Sequence, residues 1–181
     1  MVANELSLQR VRDLRKVRQK RSFDDLPVSD EDLNELLEVA RWSGSGRNTQ
    51  PWHFIVIRDK ATLAKLGALR SNITWMETAP LAIAIILDHD DALYDEGRVS
   101  ERLLIAAKLL GLGAGTAWWG EPENVAAAKE LLGVPADKIF NSAVVVGHPK
   151  QNGDDLLGRT AVGRRPLEEL VSYETYGGEP H

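Results

Sequence analysis

The amino-acid sequence predicts a mixed α/β or α+β sandwich, in which helices pack on a β-sheet. Short apolar runs of strand length alternate with segments whose apolar residues recur every three or four positions, the period of a helix. The run at residues 81–87 is apolar throughout, which is typical of a strand buried on both faces. The 181 residues suffice for one such layered core, so a single domain over residues 1–181 is predicted.

Two amphipathic helices are predicted near the start of the chain. The first ends near Gln19, because apolar residues recur every three positions with charges between them: Leu8, Val11, Leu14 and Val17. The second begins after Ser29, whose hydroxyl can cap a helix, and three acids follow where the helix dipole favours them. Its apolar face comprises Leu33, Leu36, Leu37 and Ala40.

Strands and helices alternate through the rest of the chain. The predicted order is a strand at residues 53–58, a helix at 61–69, a strand at 81–87, helices at 99–112 and 123–132, and a strand at 143–147. The helix at 99–112 is apolar over much of its circumference, so it is deeply buried or lies in a subunit interface. The segment 154–181 has too many apolar side chains for a free tail, and we expect it to pack on a partner subunit.

Composition and charge restrict the class of protein. With 43% hydrophobic and 27% charged residues, no membrane-spanning run and no signal-like N-terminus, the sequence predicts a cytoplasmic protein that does not engage membranes. The net charge of −5 argues against general affinity for nucleic acid. Residues 10–21 nevertheless hold seven basic side chains and one acid. They form a solvated helix face, a nucleic-acid arm or a phosphate site.

The sequence contains no cysteine, which excludes disulfides, thiolate catalysis and cysteine-ligated metals. Any redox chemistry therefore requires a bound cofactor. The four histidines have no ligand spacing, and the acidic run at residues 88–91 directly follows a buried strand, as ordinary loops do. We therefore predict no metal site.

Two further motifs leave alternatives open. The glycines at positions 111, 113 and 115 imitate a dinucleotide fingerprint but follow a helix, so they cap that helix or let the backbone approach a flat ligand. The late arginines are Arg159, Arg164 and Arg165. They converge with the N-terminal cluster on a phosphate, or they are unrelated surface residues.

Several segments together resemble the nitroreductase family of flavin enzymes. They are VRQKRSFDD at residues 17–25, ARWSGSGRNTQPWHFIVI at 40–57, the Ala-Pro step at 79–80, AAKLLGLGAGTAWWG at 106–120, and VGHP with GRRPLEELV between 146 and 171. The resemblance implies an α+β sandwich whose central mixed or antiparallel sheet is flanked by helices. It also implies a homodimer, joined through helices, with FMN at the subunit interface.

The resemblance assigns the phosphate end of FMN to arginines from both ends of the chain. Arg18 and Arg21 match basic positions of the N-terminal motif, and Arg164 matches a late phosphate-binding arginine. Arg21 is also expected to stabilise negative charge on the reduced ring. Gln19 belongs to the implied site at a position where Ser is usual, and Val17 replaces a usual Arg, which weakens the polar contacts with FMN.

The flavin ring is assigned to amides, hydroxyls and backbone groups. Ser43, Ser45 and Asn48 match a loop that lines the cofactor, and Asn72 matches a ring-edge contact, where an amide can donate and accept. Backbone amides near flavin N5 are expected from three consecutive residues: Trp118, Trp119 and Gly120. The alternative for both tryptophans is core packing. Trp75 stands where some members have Lys.

The implied activity is that of an FMN-dependent oxidoreductase. In a ping-pong reaction, NADH or NADPH reduces the flavin at N5, and a nitroaromatic, quinone or similar small oxidant then reoxidises it. The cofactor performs the difficult step, so no catalytic side chain is assigned. One alternative is a specialised flavin reaction on the same fold, such as dehalogenation, flavin breakdown or azoline oxidation. Another is a non-catalytic module that binds flavin or nucleic acid.

Overall fold

Five α-helices and four β-strands alternate along the described part of the chain, which in this computed structural model comprises residues 4–150 and 164–178. The helices are α1 (Glu5–Leu14), α2 (Asp30–Arg41), α3 (Lys60–Ala68), α4 (Leu93–Leu109) and α5 (Pro122–Leu132). The strands are β1 (Trp52–Ile57), β2 (Leu81–Leu87), β3 (Gly113–Trp118) and β4 (Ile139–Gly147). None of the described helices combines the length and the apolar character needed to cross a bilayer.

The four strands form one antiparallel sheet in the order β1-β2-β4-β3. β2 and β4 are central, and β2 is buried at every position, as its unbroken apolar run predicts. β1 and β3 form opposite edges of the sheet. The predicted α+β class is therefore confirmed, with the sheet antiparallel rather than mixed.

Helices cover both faces of the sheet, because successive strand residues point to opposite sides. α2 and α4 pack on one face, against side chains such as Ile83, Ile85 and Val144. On the other face, Leu63 and Leu66 of α3 lie in a second core cluster with residues of α5. The predicted sandwich is thus present, with two apolar layers separated by the sheet.

The clearest differences from the predicted elements are two helix boundaries and one strand, β3, that was not predicted. The first helix ends at Leu14 instead of near Gln19, and α4 begins at Leu93, six residues before its predicted start. The positive φ of Gly111, 77°, does follow the helix end, as a capping glycine should. Gly113 and Gly115, however, lie within strand β3. A run of Gly and Ala lacks the large side chains whose alternation identifies a strand in sequence.

Candidate functional site

The candidate site lies along the outer edge of β3, where the N-terminal segment runs beside the strand. The Lys20 amide donates to the Ala114 carbonyl (2.8 Å), and the Thr116 amide donates to Gln19 Oε1 (3.2 Å). A methyl group on Gly115 would collide with the Lys20 backbone carbonyl oxygen and would lie 3.1 Å from the Trp75 ring. Glycine therefore allows these two segments to approach the strand closely.

Strand alternation decides which β3 groups face this open edge. The backbone groups of Ala114 and Thr116 that bond the N-terminal segment point away from β4, so those of Trp118 point the same way. The Trp118 carbonyl accepts a hydrogen bond from Arg70 Nη1 (2.9 Å), and the Arg70 guanidinium lies 4.9 Å from the Trp118 ring centroid. Trp118 thus presents both its backbone and its ring at the site.

The next two residues have different surroundings. Trp119 is fully buried, its indole donates to the Leu66 carbonyl (3.1 Å), and its amide donates to Asn141 (3.3 Å). This is the core packing that the alternative interpretation predicts for its side chain. Gly120 has a φ of 78°, and the Arg70 guanidinium packs against its Cα. A side chain at Gly120 would be strained and crowded.

Arg21 provides a direct test of whether this edge fits FMN. Its Nε is buried and has no hydrogen-bond partner within residues 4–150 and 164–178, and burial lowers the pKa of the guanidinium. The guanidinium lies 5.5 Å from the Trp75 ring centroid, and Trp75 Nε1 donates to the Asn72 carbonyl (3.0 Å). A buried unpaired donor is costly, so this position suits an acceptor-rich ligand such as a flavin.

The other two predicted phosphate ligands are not assembled with Arg21. Arg18 turns back and donates to the carbonyls of Arg15 and Val17. Arg164 is exposed and makes no hydrogen bond or ion pair with any residue in the described ranges. Neither arrangement forms a ready phosphate cradle, and both arginines remain predicted ligands whose side chains would have to reorient.

The loop between α2 and β1 has a strained backbone. Three residues without the freedom of glycine have positive φ: Arg47 (52°), Asn48 (56°) and Gln50 (50°). The Gln50 amide donates to Ser45 Oγ (2.9 Å), and Ser43 is buried with its hydroxyl unpartnered in the described part of the chain. Such strain is often kept at ligand-binding loops.

This loop lies at the edge opposite the β3 site. It leads directly into β1, whereas Gln19, Asn72 and Trp118 lie at β3. Three strand spacings separate these edges, about 14 Å. A single chain therefore does not bring Ser45 and Asn48 to the same place as Arg21.

A cavity of about 590 Å³ opens beside the β3 site, on the face of the sheet covered by α4. Gln19 and Trp118 line it, together with residues that the sequence interpretation did not select: Leu93, Glu96, Gly97, Ser100, Glu101, Leu104, Thr116, Asn141 and Ser142. Burial raises the pKa of Glu96, and a hydrogen bond from Ser142 Oγ partly offsets this effect. The sequence signal that could have identified this cavity is the pair Glu96 and Ser100, polar residues one helical turn apart. It was missed because the predicted helix began after Glu96.

Comparison with known proteins places the chain among its relatives. A family model described as the nitroreductase family matches residues 14–81. A relative from Archaeoglobus fulgidus, provisionally named NADH dehydrogenase/NAD(P)H nitroreductase, is 34% identical over 144 residues, covering 74% of this chain and 82% of the relative. The FMN reductase (NAD(P)H) of Bacillus subtilis is 27% identical over 193 residues, covering 92% of this chain and 74% of that protein.

A solved structure extends the match to three dimensions. It is a provisionally named nitroreductase from Desulfovibrio desulfuricans in complex with FMN, 32% identical, with a TM-score of 0.73. The match covers 97% of this chain and 99% of the other. The family model and these relatives agree with the family that the sequence segments resemble. The chain belongs to the nitroreductase family.

Proposed function

We propose that the protein is an FMN-dependent NAD(P)H oxidoreductase that reduces a nitroaromatic, a quinone or a similar small oxidant by a ping-pong mechanism. Family membership and the names of the relatives support the cofactor and the electron donor. Bound FMN supplies the ability to take two electrons from NADH or NADPH and to pass them on. The cytoplasmic location remains a prediction from the sequence.

The observation that carries this proposal is Arg21 Nε at the open β3 edge, which is buried and has no hydrogen-bond partner among the residues that the structure describes. A guanidinium there can donate to the flavin pyrimidine or to the phosphate, and its charge favours electron-rich reduced flavin. Partial burial strengthens this electrostatic effect, because fewer water molecules screen the charge. The Arg21 guanidinium lies over the Trp75 ring, and the neighbouring Lys20 backbone packs closely on Gly115, so Arg21 is held beside β3.

The remaining residues of this edge would orient the ring. The Trp118 amide points away from β4 at the open edge, where it can donate to a ring nitrogen. The φ of 78° at Gly120 carries the backbone past this edge, with the Arg70 guanidinium packed beside it. The Asn72 side chain is exposed beside Trp75, so its amide is available to the polar pyrimidine edge. Gln19 uses its carbonyl oxygen on Thr116, which leaves its amide nitrogen for the ligand.

We infer that two chains share each flavin, because the predicted ligands lie at opposite edges of one sheet. Ser43, Ser45 and Asn48 would reach the β3 site of a partner in a homodimer. Exposed apolar side chains on α1, at the end of α4 and in residues 164–178 supply surface for such a contact: Val11, Leu14, Leu109, Leu167, Leu170 and Tyr176. Residues 154–163 and 179–181 of the predicted partner-packing tail lie outside the described residues.

An absorbance spectrum under anaerobic conditions tests the proposed function. Purified protein is expected to bind about one FMN per chain and to lose its flavin absorbance when NADH or NADPH is added. The donor that bleaches the flavin faster identifies the nicotinamide preference. A protein that cannot take up FMN, or flavin that neither nucleotide reduces, would overturn the proposal.

Substitution of the arginines tests the residue assignment separately. Arg21→Ala should weaken FMN binding by about 10- to 100-fold, because a hydrogen bond to a charged group contributes roughly 1.5–3 kcal/mol. Arg18→Ala, measured alone, shows whether its folded-back side chain turns to the phosphate. Arg165→Ala is the matched control, since Arg165 is already paired with Glu169 (3.1 Å). Unchanged flavin content in the Arg18→Ala, Arg21→Ala double variant would reject both ligands.

A further inference from the structure

Helix α4 holds a buried carboxyl group that the reaction described above does not use. Glu96 is 8% exposed, and one of its carboxyl oxygens accepts a hydrogen bond from the Ser142 hydroxyl on β4. One helical turn later, Ser100 has a buried hydroxyl oxygen with no hydrogen-bond partner anywhere in the described ranges. A buried hydroxyl of this kind needs a partner, and the described part of the chain does not provide one.

Glu96 and Ser100 line the same cavity as two residues of the predicted flavin site, Gln19 and Trp118. The volume of about 590 Å³ is in the range of small-molecule sites. A ring compound in this cavity would touch the Trp118 edge on one side and the polar side of α4 on the other. The carboxyl and the flavin edge therefore open onto one common space.

The surroundings of Glu96 favour its protonated form. Burial is the main cause of its raised pKa, and the hydrogen bonds from Ser142 and Asn141 act in the opposite direction. Neighbouring charges are engaged elsewhere: Asp95 is paired with Arg98 (3.4 Å), and Arg70 lies over Trp118. Glu101 also lines the cavity but is exposed. None of these four charges contributes to the shift of Glu96.

We propose that Glu96 is the proton donor to the oxidant bound in this cavity, with the Ser100 hydroxyl bonded to an oxidant oxygen. The inference rests on the proposed oxidoreductase function and names a residue that the function itself does not require. For a quinone, NAD(P)H provides two electrons and one proton through the cofactor. The Glu96 O–H bond breaks as an O–H bond forms on the second quinone oxygen. Water at the cavity mouth then returns a proton to the carboxylate.

The test compares two oxidants that differ in their need for protons. Benzoquinone takes up two electrons and two protons, whereas ferricyanide takes up electrons alone. Glu96→Gln should lower kcat with benzoquinone by about 100-fold, the lower end of general-acid effects, and leave ferricyanide reduction unchanged. The alkaline fall in benzoquinone turnover, expected when wild-type Glu96 ionises, should disappear in the variant. Glu130→Gln, an exposed change on α5, should alter neither reaction.

Equal losses with both oxidants, or no loss with benzoquinone, would overturn the role of Glu96. Wild-type protein whose bound FMN is not reduced by NAD(P)H would instead refute the proposed function, so the two failures are distinguishable. Ser142→Ala tests the same group without removing it. Loss of the Ser142 hydrogen bond should move the alkaline limb of the benzoquinone profile to higher pH, and an unmoved limb contradicts the proposal.

An independent readout needs no turnover. Infrared spectra of the FMN-loaded protein, recorded without oxidant as a function of pH, should contain the C=O stretch of a protonated carboxyl group above the pH at which exposed glutamates ionise. The band should be absent from Glu96→Gln and present in Glu130→Gln. Wild-type spectra without this band would exclude a protonated Glu96 and hence the proposed step.

Discussion

Trp118 and Trp119 are adjacent in sequence but lie in opposite environments. Trp118 is 52% exposed at the β3 edge, whereas Trp119 is fully buried beside Phe140, with a ring-centroid distance of 4.8 Å. Strand alternation sends the two side chains in opposite directions. Sequence alone leaves both roles open for each residue, because an indole serves equally well in a core and at a ligand site.

This difference predicts that two neighbouring substitutions separate stability from cofactor binding. Trp119→Ala should lower the free energy of unfolding by about 3–5 kcal/mol, because a large buried ring and its hydrogen bond are lost. Trp118→Ala should cost less than about 1 kcal/mol but alter the flavin spectrum. Urea denaturation and FMN titration of both variants measure the two effects. Equal stabilities for the two variants would contradict the placement of Trp119.

The protonation of Glu96 predicts a pH dependence of stability. The folded protein binds this proton more tightly than the unfolded chain, because burial raises the pKa of the carboxyl. The contribution of Glu96 is therefore complete below about pH 4.3, the value for an unfolded Glu, and is lost as pH rises through the folded value. Urea denaturation across this range should show wild type losing stability relative to Glu96→Gln. A constant difference would contradict the raised pKa.

At the scale of elements, the N-terminal segment and β3 depend on each other. Gly113 and Gly115 lie under Lys20, and the Phe23 backbone forms an isolated bridge with Pro149 beyond the end of β4. The segment after α1 is therefore extended and hydrogen-bonded along the edge of the sheet, and it is not helical. This arrangement places Gln19 and Arg21 at the edge of β3 where FMN is proposed to bind.

Gly115→Ala should disturb this pairing. The added methyl group would collide with the Lys20 carbonyl, and overpacking of this kind costs about 1–3 kcal/mol. Because the displaced segment includes Arg21, FMN affinity should fall as well. Gly46→Ala is the control for thermal stability alone, since its methyl group would meet no atom within 4 Å and Gly46 belongs to the loop assigned to FMN. Thermal unfolding and FMN content are the measurements, and a Gly115→Ala protein with wild-type values of both would refute the close approach.

At the scale of the whole molecule, the exposed apolar surface and the positions of the candidate flavin ligands both favour a homodimer. α1 has no buried residue in the isolated chain, although its apolar stripe is the pattern of a packed helix. The candidate flavin ligands are divided between the two edges of the sheet. A homodimer would bury the apolar stripe of α1 and would bring the flavin ligands of the two sheet edges together.

Val11→Glu should dissociate the proposed homodimer. Val11 is 64% exposed on α1, so a charge there should change the stability of the separate chain by less than about 0.5 kcal/mol. Light scattering should report a smaller mass than for wild type, with FMN lost in parallel. Leu131→Glu, at a 40% exposed position on α5, should leave the mass and the FMN content unchanged. A Val11→Glu protein that remains dimeric would exclude α1 from the interface.

The sequence by itself determined a helix-and-sheet sandwich and its central strand, because long apolar runs and helical periodicity are local properties. The resemblance of several motifs supplied the family and, with it, the α+β class. It also selected Arg21, Gln19 and Trp118, because each belongs to a short motif that is recognisable by itself: residues 17–25 for the first two and 106–120 for Trp118. The resemblance to flavin enzymes supplied the cofactor, which agrees with the absence of cysteine.

Only the tertiary structure decided which of these residues meet. β3 could not be recognised from Gly and Ala, since its identity depends on pairing with β4, whose partner residues lie 24 or more positions along the chain. The separation of the 43–48 loop from β3 follows from strand order, which no local pattern encodes. The buried state of Glu96 depends on Ser142 and the cavity between α4 and the sheet. Burial and its effect on protonation arise from contacts between distant segments, so they appear only when the chain is folded.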